Sequence, residues 1–597
     1  MHDYKSPPVP YQILLTVLAA NPLATGYEAS RSVLGLMCGI FFSIARDRPY
    51  LPDPETVNAL RARGPDSYRV LNASVSHDCP HAACLTFVSS VLALRGNVVQ
   101  QQPLYDDKTG AILCWNGEAW KTNGVTIKGN DSARVFDLLL NVSQSGEEVS
   151  HQRICEVLTL ISGPFAFVFY NARTSTVYYG RDRLGRRSLL IDRSDAQSLT
   201  LSSTGVSNKT PLVEVSPETI HYVSIKHHTI KFGELPWLSP PPAINKDIPA
   251  QFPAAIPSAA SVNQFLTELR NALALRVVDI PDHSHSQLRP GSAKVAILFS
   301  GGLDCTLLAR LVHDILPPDE AIDLLNVAFE NPRSIAAQAN HIDSPYELCP
   351  DRLTGRSSFS ELCQVCPGRK WRFVAINIPY TEAIAHRPTI ISLMSPHNTE
   401  MDLSIAMALY FAARGGGVLT ENQQVSNAAA ADFLSTARVL LSGLGADELY
   451  GGYSRHSAAF ARGGYSGLAD ELEMDFTRIG SRNLGRDDRV MSHWGKEIRY
   501  PYLDEDFVSF SLHLPVWEKT GFRPGKHIPK PYEDALPSDI PESLEPAKML
   551  MRLAMWQLDM KRAATERKRA IQFGARTAKM DVGKGRTKGT DILIAAA

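Results

Sequence analysis

The 597-residue chain has almost no excess charge of one sign: 61 Lys and Arg stand against 62 Asp and Glu, a formal net charge of -1. No global field draws it to nucleic acid or to an anionic membrane, so neither is a predicted partner. Long apolar runs are missing too, and no stretch reaches the length that a bilayer span needs. Nine cysteines are scattered without regular spacing. An odd, unpatterned count in so long a chain points to reduced thiols and a cytoplasmic setting. Only Cys363 and Cys366 have ligand-like spacing. Structural zinc takes four Cys or His in paired spacing, so plain thiols are the favoured reading. With 44% hydrophobic and 21% charged residues, the chain is globular and long enough for at least two domains.

What is present is organised around residues 294–308, KVAILFSGGLDCTLL. Residues 295–299 form an apolar run of the kind that makes a buried parallel strand. It breaks at Ser300-Gly301-Gly302, and an apolar helical pattern resumes at Leu303. A strand ending in small residues ahead of a helix offers a phosphate a close backbone and unpaired helix N–H groups. The Gly-Lys-Ser/Thr ending of a Walker loop is absent. The alternative is a glycine turn in an ordinary α/β sheet with an incidental Asp304.

Strand-like runs at 323–329, 372–378 and 438–441, with helical patterns to 313 and over 403–414, predict a doubly wound α/β series. Ligands in such sheets sit at the strands' carboxyl ends. Ser300, Val327 and Ser442 fall at or near those ends, which predicts one shared nucleotide cleft. Ser442-Gly443-Leu444-Gly445-Ala446-Asp447-Glu448 is a second Gly-rich turn. Its carboxylates suit metal or phosphate work, or merely a helix dipole. Lys548 and Arg552 stand at i,i+4 spacing, which predicts one helix face: a cationic clamp or a solvated basic surface.

The first half, residues 37–232, alternates turns with strand-like runs at 89–94, 111–115, 165–170 and 176–179. Cys38 follows Met37. An N-terminal Cys carries thiol and α-amine on one residue, and the amine, of pKa ~8, serves as a local base. That chemistry requires nothing ahead of Cys38. Either residues 1–36 are a mis-assigned start, or they are a leader that is cleaved, or the thiol is inert, the first being favoured. Asn116-Gly117 is either an oxyanion hole or a hairpin turn, and the dipeptide alone favours the turn. Residues 233–260 are a Pro-rich connector. Residues 261–277 form an amphipathic helix leading into a second domain that extends to 575. Residues 576–597 are a basic tail, without an ordering pattern after 580.

MCGIFF (37–42), RGPD (63–66), QQPL (101–104), NGE (116–118), GPFAF (163–167) and GRDRLG (180–185) resemble, in order, the motifs of class II glutamine amidotransferases. The resemblance implies an N-terminal-nucleophile (Ntn-type) α/β sandwich that hydrolyses glutamine to glutamate and ammonia. Cys38 would be the nucleophile and Asn116 with Gly117 the oxyanion donors. Asn116, Gly117, Glu118 and Asp131 would hold glutamine, Asp131 taking its α-amine.

The S-G-G-x-D-[SC] loop resembles that of the ATP-pyrophosphatases, which cleave ATP between its α and β phosphates. With SGLGADE, GKEIRYPYLD (495–504) and K-x-x-x-R, the order over 37–575 is similar to the glutamine-dependent asparagine synthetase family. Ser90-Val91-Leu92 with Leu94-Arg95-Gly96, DRLTG (351–355), GYSRH (452–456), SRNLGRDDRV (481–490) and KRAIQFGARTAKM (568–580) resemble one branch, the asparagine synthetase domain-containing protein 1 group. That membership implies ATP and Mg²⁺ as cofactors. Phe299, Ser300, Gly301, Gly302, Asp304, Val327, Ser442, Gly443 and Asp447 would bind ATP, with Asp304 and Asp447 on the metal. Lys548 and Arg552 would clamp pyrophosphate, Lys548 also being catalytic. The partners implied are glutamine, aspartate and ATP, with a homodimer left open.

Two departures bear on activity. Family domains carry an Arg before the strand leading to Q-P-L, paired to the glutamine carboxylate. Here that place reads Ser89-Ser90-Val91-Leu92, and Arg95 lies at another register. Losing such a pair removes a bidentate anchor. Asparagine synthetases also read S-G-E-G at the second turn, where this chain has Leu444. Loss of a general base commonly costs ~10²–10⁴ in rate. Two functions follow: an asparagine-synthetase-like ligase on aspartate or a related carboxylate, or a synthetase-fold nucleotide-binding protein with a regulatory or scaffold role. Cys38, Asn116, the SGGLD loop and Lys548 favour the ligase.

Overall fold

The computed structural model describes residues 16–17, 38–64, 66–75, 83–195, 197–205, 212–226, 229–248, 257–281, 292–336, 344–422, 424–425, 432–522, 544–580 and 588–593. The chain divides into two compact units, Met1–Ser239 and Pro240–Ala597. The leader expectation falls on residues 1–36, of which only 16–17 are described.

The first unit is a sandwich of two antiparallel sheets. One runs Thr16–Val17, β2 (Ser67–Val75), β3 (Ala83–Val91), β1 (Gly39–Arg46), β7 (Leu199–Ser202), Leu190–Asp192 and Val213–Glu214. The other runs β9 (Thr229–Pro236), β8 (Thr219–Lys226), β6 (Thr176–Arg181), β5 (Phe165–Asn171), β4 (Ile112–Gly117) and Leu104–Tyr105. Strand periodicity explains the layering. Ala166, Val168 and Tyr170 of β5 meet Ile40, Phe42 and Phe87 between the sheets. Phe165, Phe167 and Phe169 face the other way, onto Val135 and Leu139 of α2 (Asp131–Val142) and Ile154 and Leu158 of α3 (Glu147–Thr159). On the opposite outer face, Leu60 of α1 (Pro54–Arg63) packs on Phe41 and Val88. The α/β sandwich is thus covered by helices on both sides. The residue patterns placed none of α1, α2 and α3; Asp53 caps α1 by accepting from the Thr56 N–H at 2.7 Å.

The second unit, whose helices begin with α4 (Ala259–Val277) and α5 (Leu303–Ile315), is a doubly wound sheet. Its order is Gln424–Val425, β13 (Gly416–Glu421), β12 (Trp371–Ile378), β11 (Ile322–Phe329), β10 (Val295–Leu298), β14 (Val439–Leu441) and β15 (Glu497–Arg499). β12, β11, β10, β14 and β15 are parallel, and β13 is antiparallel to β12. Every residue of β11 is buried, as a strand covered on both faces requires. Chain order reverses between β10 and β14, whose carboxyl ends lead into Ser300 and Ser442. A crevice at that switch point is where doubly wound sheets take ligands.

The end of the chain differs from expectation. Residues 588–593 are paired, not patternless. The Gly589 and Asp591 carbonyls accept from the first N–H groups of α7 (Glu400–Arg414), those of Met401 and Glu400, at 2.9 and 3.0 Å. Those N–H groups have no partner inside their own helix, so the segment satisfies a need that composition does not reveal.

Candidate active sites

In the first unit, Cys38 immediately precedes β1. Its Sγ accepts from the Leu92 N–H at 3.3 Å, and its carbonyl accepts from Arg63 Nε at 3.1 Å. Asp66 in turn accepts from the Ala93 N–H at 2.9 Å. The RGPD stretch therefore holds both the Cys38 backbone and the segment beside the thiol. Asn116 and Gly117 are not in a hairpin turn. They close β4, opposite Ala166 and Phe165 of β5. A Cβ at Gly117 would be only 2.6 Å from the Phe165 Cα, which explains a glycine there.

Asn116 is tied to β1, the strand that follows Cys38, through Ser203, which the motifs did not single out. Ser203 Oγ accepts from the Ile40 N–H at 3.0 Å and from Asn116 Nδ2 at 3.5 Å. Asp131 opens α2, where its Oδ2 accepts from the Ala119 N–H (2.8 Å) and Trp115 Nε1 (3.3 Å). Glu118 forms an ion pair with Arg95 at 3.5 Å. Arg95 also donates to the carbonyls of Gly129 (3.2 Å) and Ile127. It is engaged in pinning the loop ahead of α2.

In the second unit a cavity of about 410 Å³ opens at the switch point. Of the expected ATP residues, Phe299, Ser300, Gly302, Asp304, Val327, Ser442, Gly443 and Asp447 line it, together with Leu444. Gly301 is not among the lining residues. Its φ of 79° and the Thr354–Gly355 backbone, 2.5 Å from where a Cβ would stand, press the loop against α6 (Pro350–Val365). Ser358 Oγ fastens the same point by donating to the Gly301 carbonyl at 2.7 Å.

The electrostatic centre alternates in sign. Lys548 Nζ lies 2.7 Å from both Asp304 oxygens and 2.6 Å from Asp447 Oδ1. Lys568 pairs with the other Asp447 oxygen. Burial pushes the Asp447 carboxyl up, but Lys548 and Lys568 outweigh it and hold the group well below the usual carboxylate range. Glu448 goes the other way, raised by burial and by the neighbouring Asp447 charge. Its Oε1 accepts from the Tyr453 hydroxyl at 2.6 Å.

The clamp expected of Lys548 and Arg552 requires correction. Lys548 has φ 59° and precedes the helix Met549–Gln557, so helical i,i+4 spacing does not apply to the pair. Buried Arg552 donates to the carbonyls of Ala547 (2.9 Å), Ala564 (2.6 Å) and Glu566 (2.9 Å), and to Glu545 at 2.9 Å. It ties segments of backbone together. The second ammonium that the structure brings to Asp447 is that of Lys568, from a stretch that reads as part of a basic surface. Lys568, Tyr453 and Asp351 do fall within KRAIQFGARTAKM, GYSRH and DRLTG, the strings that carry the branch resemblance.

A thiol-bearing sandwich and a Gly-loop cleft in one chain define a glutamine amidotransferase domain joined to an asparagine synthase domain. The family described as "Glutamine amidotransferase domain" matches residues 37–222, and the one described as "Asparagine synthase" matches residues 461–567. Asparagine synthetase domain-containing protein 1 of Bos taurus is 33% identical, over 93% of this chain and 97% of that protein. The Homo sapiens protein of that name is 32% identical, over 92% and 95%. Glutamine-hydrolysing asparagine synthetase of Rattus norvegicus is 23% identical, over 87% and 83%. The chain belongs to the asparagine synthetase domain-containing protein 1 family. No helix among the described residues is long and apolar enough to cross a membrane.

Proposed function

We propose that this chain is a glutamine-hydrolysing, ATP-dependent carbon–nitrogen ligase that adenylates and amidates aspartate or a related carboxylate. The observation that carries the reading is the run Asp304, Lys548, Asp447, Lys568 at the foot of the Gly-rich loops. Two ammonium groups beside backbone N–H groups suit a pyrophosphate leaving group. Asp304 and Asp447 converge on one cation, the Lys548 ammonium. Mg²⁺ commonly takes one or two carboxylates plus phosphate oxygens, so this pair fits it. Mg²⁺ held there would offset pyrophosphate charge.

An aspartate β-carboxylate oxygen attacks the α-phosphorus, and the bond to pyrophosphate breaks. Ser300, Gly302, Ser442 and Gly443 orient the phosphates, while Lys548 and Lys568 balance the charge that leaves. Ammonia attacks the acyl carbon of the resulting β-aspartyl-AMP, and the bond to AMP breaks, giving asparagine. In the first unit, Cys38 attacks the glutamine amide with Asn116 and Gly117 as oxyanion donors. The carbon–nitrogen bond then breaks, the nitrogen takes the thiol's proton and leaves as ammonia, and water cleaves the resulting thioester to release glutamate and restore the thiol. The α-amine that serves as base exists only when Cys38 is the first residue.

The second reading, a nucleotide-binding protein without amide transfer, draws on Leu444 in the cavity wall and on the engagement of Arg95. Protein beginning at Cys38, supplied with glutamine, ATP, Mg²⁺ and aspartate, separates the two. Glutamate, AMP, pyrophosphate and asparagine are assayed individually. Glutamate without AMP or asparagine assigns another acceptor. Absence of all four products supports the second reading.

A further inference from the structure

The chemistry above leaves the buried carboxylate of Asp351, in the wall of the cleft, unused. Asp351 lies in the first turn of α6. Its carbonyl accepts from Asn326 Nδ2 at 2.8 Å, and the same amide donates to the Phe299 carbonyl at 2.8 Å. Arg352 Nε holds Asn326 Oδ1 at 2.7 Å, so the arrangement is braced from both sides. Asn326 thereby fixes Asp351 to β11, beside the strand end that leads into the phosphate loop.

The Asp351 side chain is 9% exposed and lines the cavity with Phe299, Asn326, Val327, Ile571 and Gln572. One side of the carboxylate lies flat on Gly574, where an added Cβ would overlap both oxygens. Among the described residues its ion-pair partner is Arg569 Nη1, at 3.9 Å and on a side chain 39% exposed. Burial pushes the carboxyl up to about 7, and Arg569 and Lys568 oppose this only in part. A buried carboxyl without close donors is costly unless a ligand supplies them.

The chemistry narrows the ligand. A phosphate is excluded by like charge, and its place is served by the Ser300–Gly302 loop and the lysines. An ammonium is disfavoured by the charges of Arg569 and Lys568 beside the group. Neutral hydroxyls remain, and two carboxylate oxygens match a vicinal diol. Asp351 reaches the cavity from the first turn of α6, and the Asn326 amide that bonds both its carbonyl and that of Phe299 sets it beside the start of the Gly-rich loop. We infer that Asp351 binds the ribose hydroxyls of the nucleotide, an assignment that rests on the ATP-cleft reading.

Calorimetric titration of the full chain with ATP, 2′-deoxy-ATP and 3′-deoxy-ATP tests it. Wild type binds ATP about tenfold more tightly than at least one deoxy analogue, the loss of one hydrogen bond to a charged group. Asp351→Ala binds all three alike. Asp351→Asn, which keeps the shape packed on Gly574, falls between. Equal affinity of wild type for ATP and both analogues overturns the inference, as does full discrimination by a folded Asp351→Ala. The wild-type comparison decides even where the alanine variant does not fold. No binding of ATP by wild type overturns the cleft reading itself, a separate outcome.

Discussion

Lys548 Nζ stands 2.7 Å from each carboxylate oxygen of Asp304, although 244 residues separate the two in sequence. The Lys548 side chain is 3% exposed and depends on that pairing and on Asp447. Removing a partner from such an arrangement leaves charge buried without compensation.

Lys548→Met should therefore lower carboxylate-dependent exchange of pyrophosphate into ATP by roughly 10²–10³, the usual cost of losing one donor to developing charge. It should also make the protein more responsive to Mg²⁺. With the ammonium gone, a dication becomes the partner of Asp304 and Asp447, so added Mg²⁺ should raise the unfolding temperature more than in wild type. Equal Mg²⁺ response in both proteins would separate the two carboxylates from the metal.

Asp351 makes a prediction in pH. Its carboxyl is raised from 3.8 to about 7 in the fold, so between those values the folded chain holds a proton that the unfolded chain has released. Stability is then present below the unfolded value and lost as pH rises to the folded one, by up to roughly 4 kcal/mol. Asp351→Asn cannot ionise. Its unfolding temperature should exceed that of wild type at pH 8 and match it near pH 4. A constant difference across that window would mean that the carboxyl does not titrate as described.

Ser203→Ala removes the oxygen shared by the Ile40 N–H and Asn116 Nδ2. Buried donors left without an acceptor cost ~1–3 kcal/mol each. Glutamate release should fall at least tenfold by displacement of Asn116, while ATP affinity in the second unit stays the same. Unaltered glutamate release would remove Ser203 from the positioning of Asn116.

Leu444→Glu restores a carboxylate to the cavity wall. If proton transfer limits amide formation, asparagine should rise by ~10²–10⁴, the range for a general base. No rise would place the limit elsewhere, as in a different acceptor.

Patterns local to a strand or loop were legible in the sequence. The runs at 323–329 and 372–378 became buried parallel strands, and the Gly-rich turns at Ser300 and Ser442 came to one cavity. What failed depended on distant partners or on backbone that does not follow its spacing. Lys568 reads as part of a basic stretch because nothing near it in sequence announces Asp447, 121 residues away. Lys548 and Arg552 look like neighbours on a helix until a left-handed φ at Lys548 breaks the phase. Asn116-Gly117 has turn composition yet lies in a strand, because pairing with β5 overrides that local preference.

Acyl-adenylate formation is most directly read from oxygen transfer. Protein beginning at Cys38 is incubated with ATP, Mg²⁺, glutamine and aspartate labelled with ¹⁸O in its β-carboxylate, and the AMP is analysed by mass spectrometry. One ¹⁸O atom per AMP, with pyrophosphate as co-product, is the predicted result. Unlabelled AMP, or cleavage of ATP to ADP and phosphate, would contradict it.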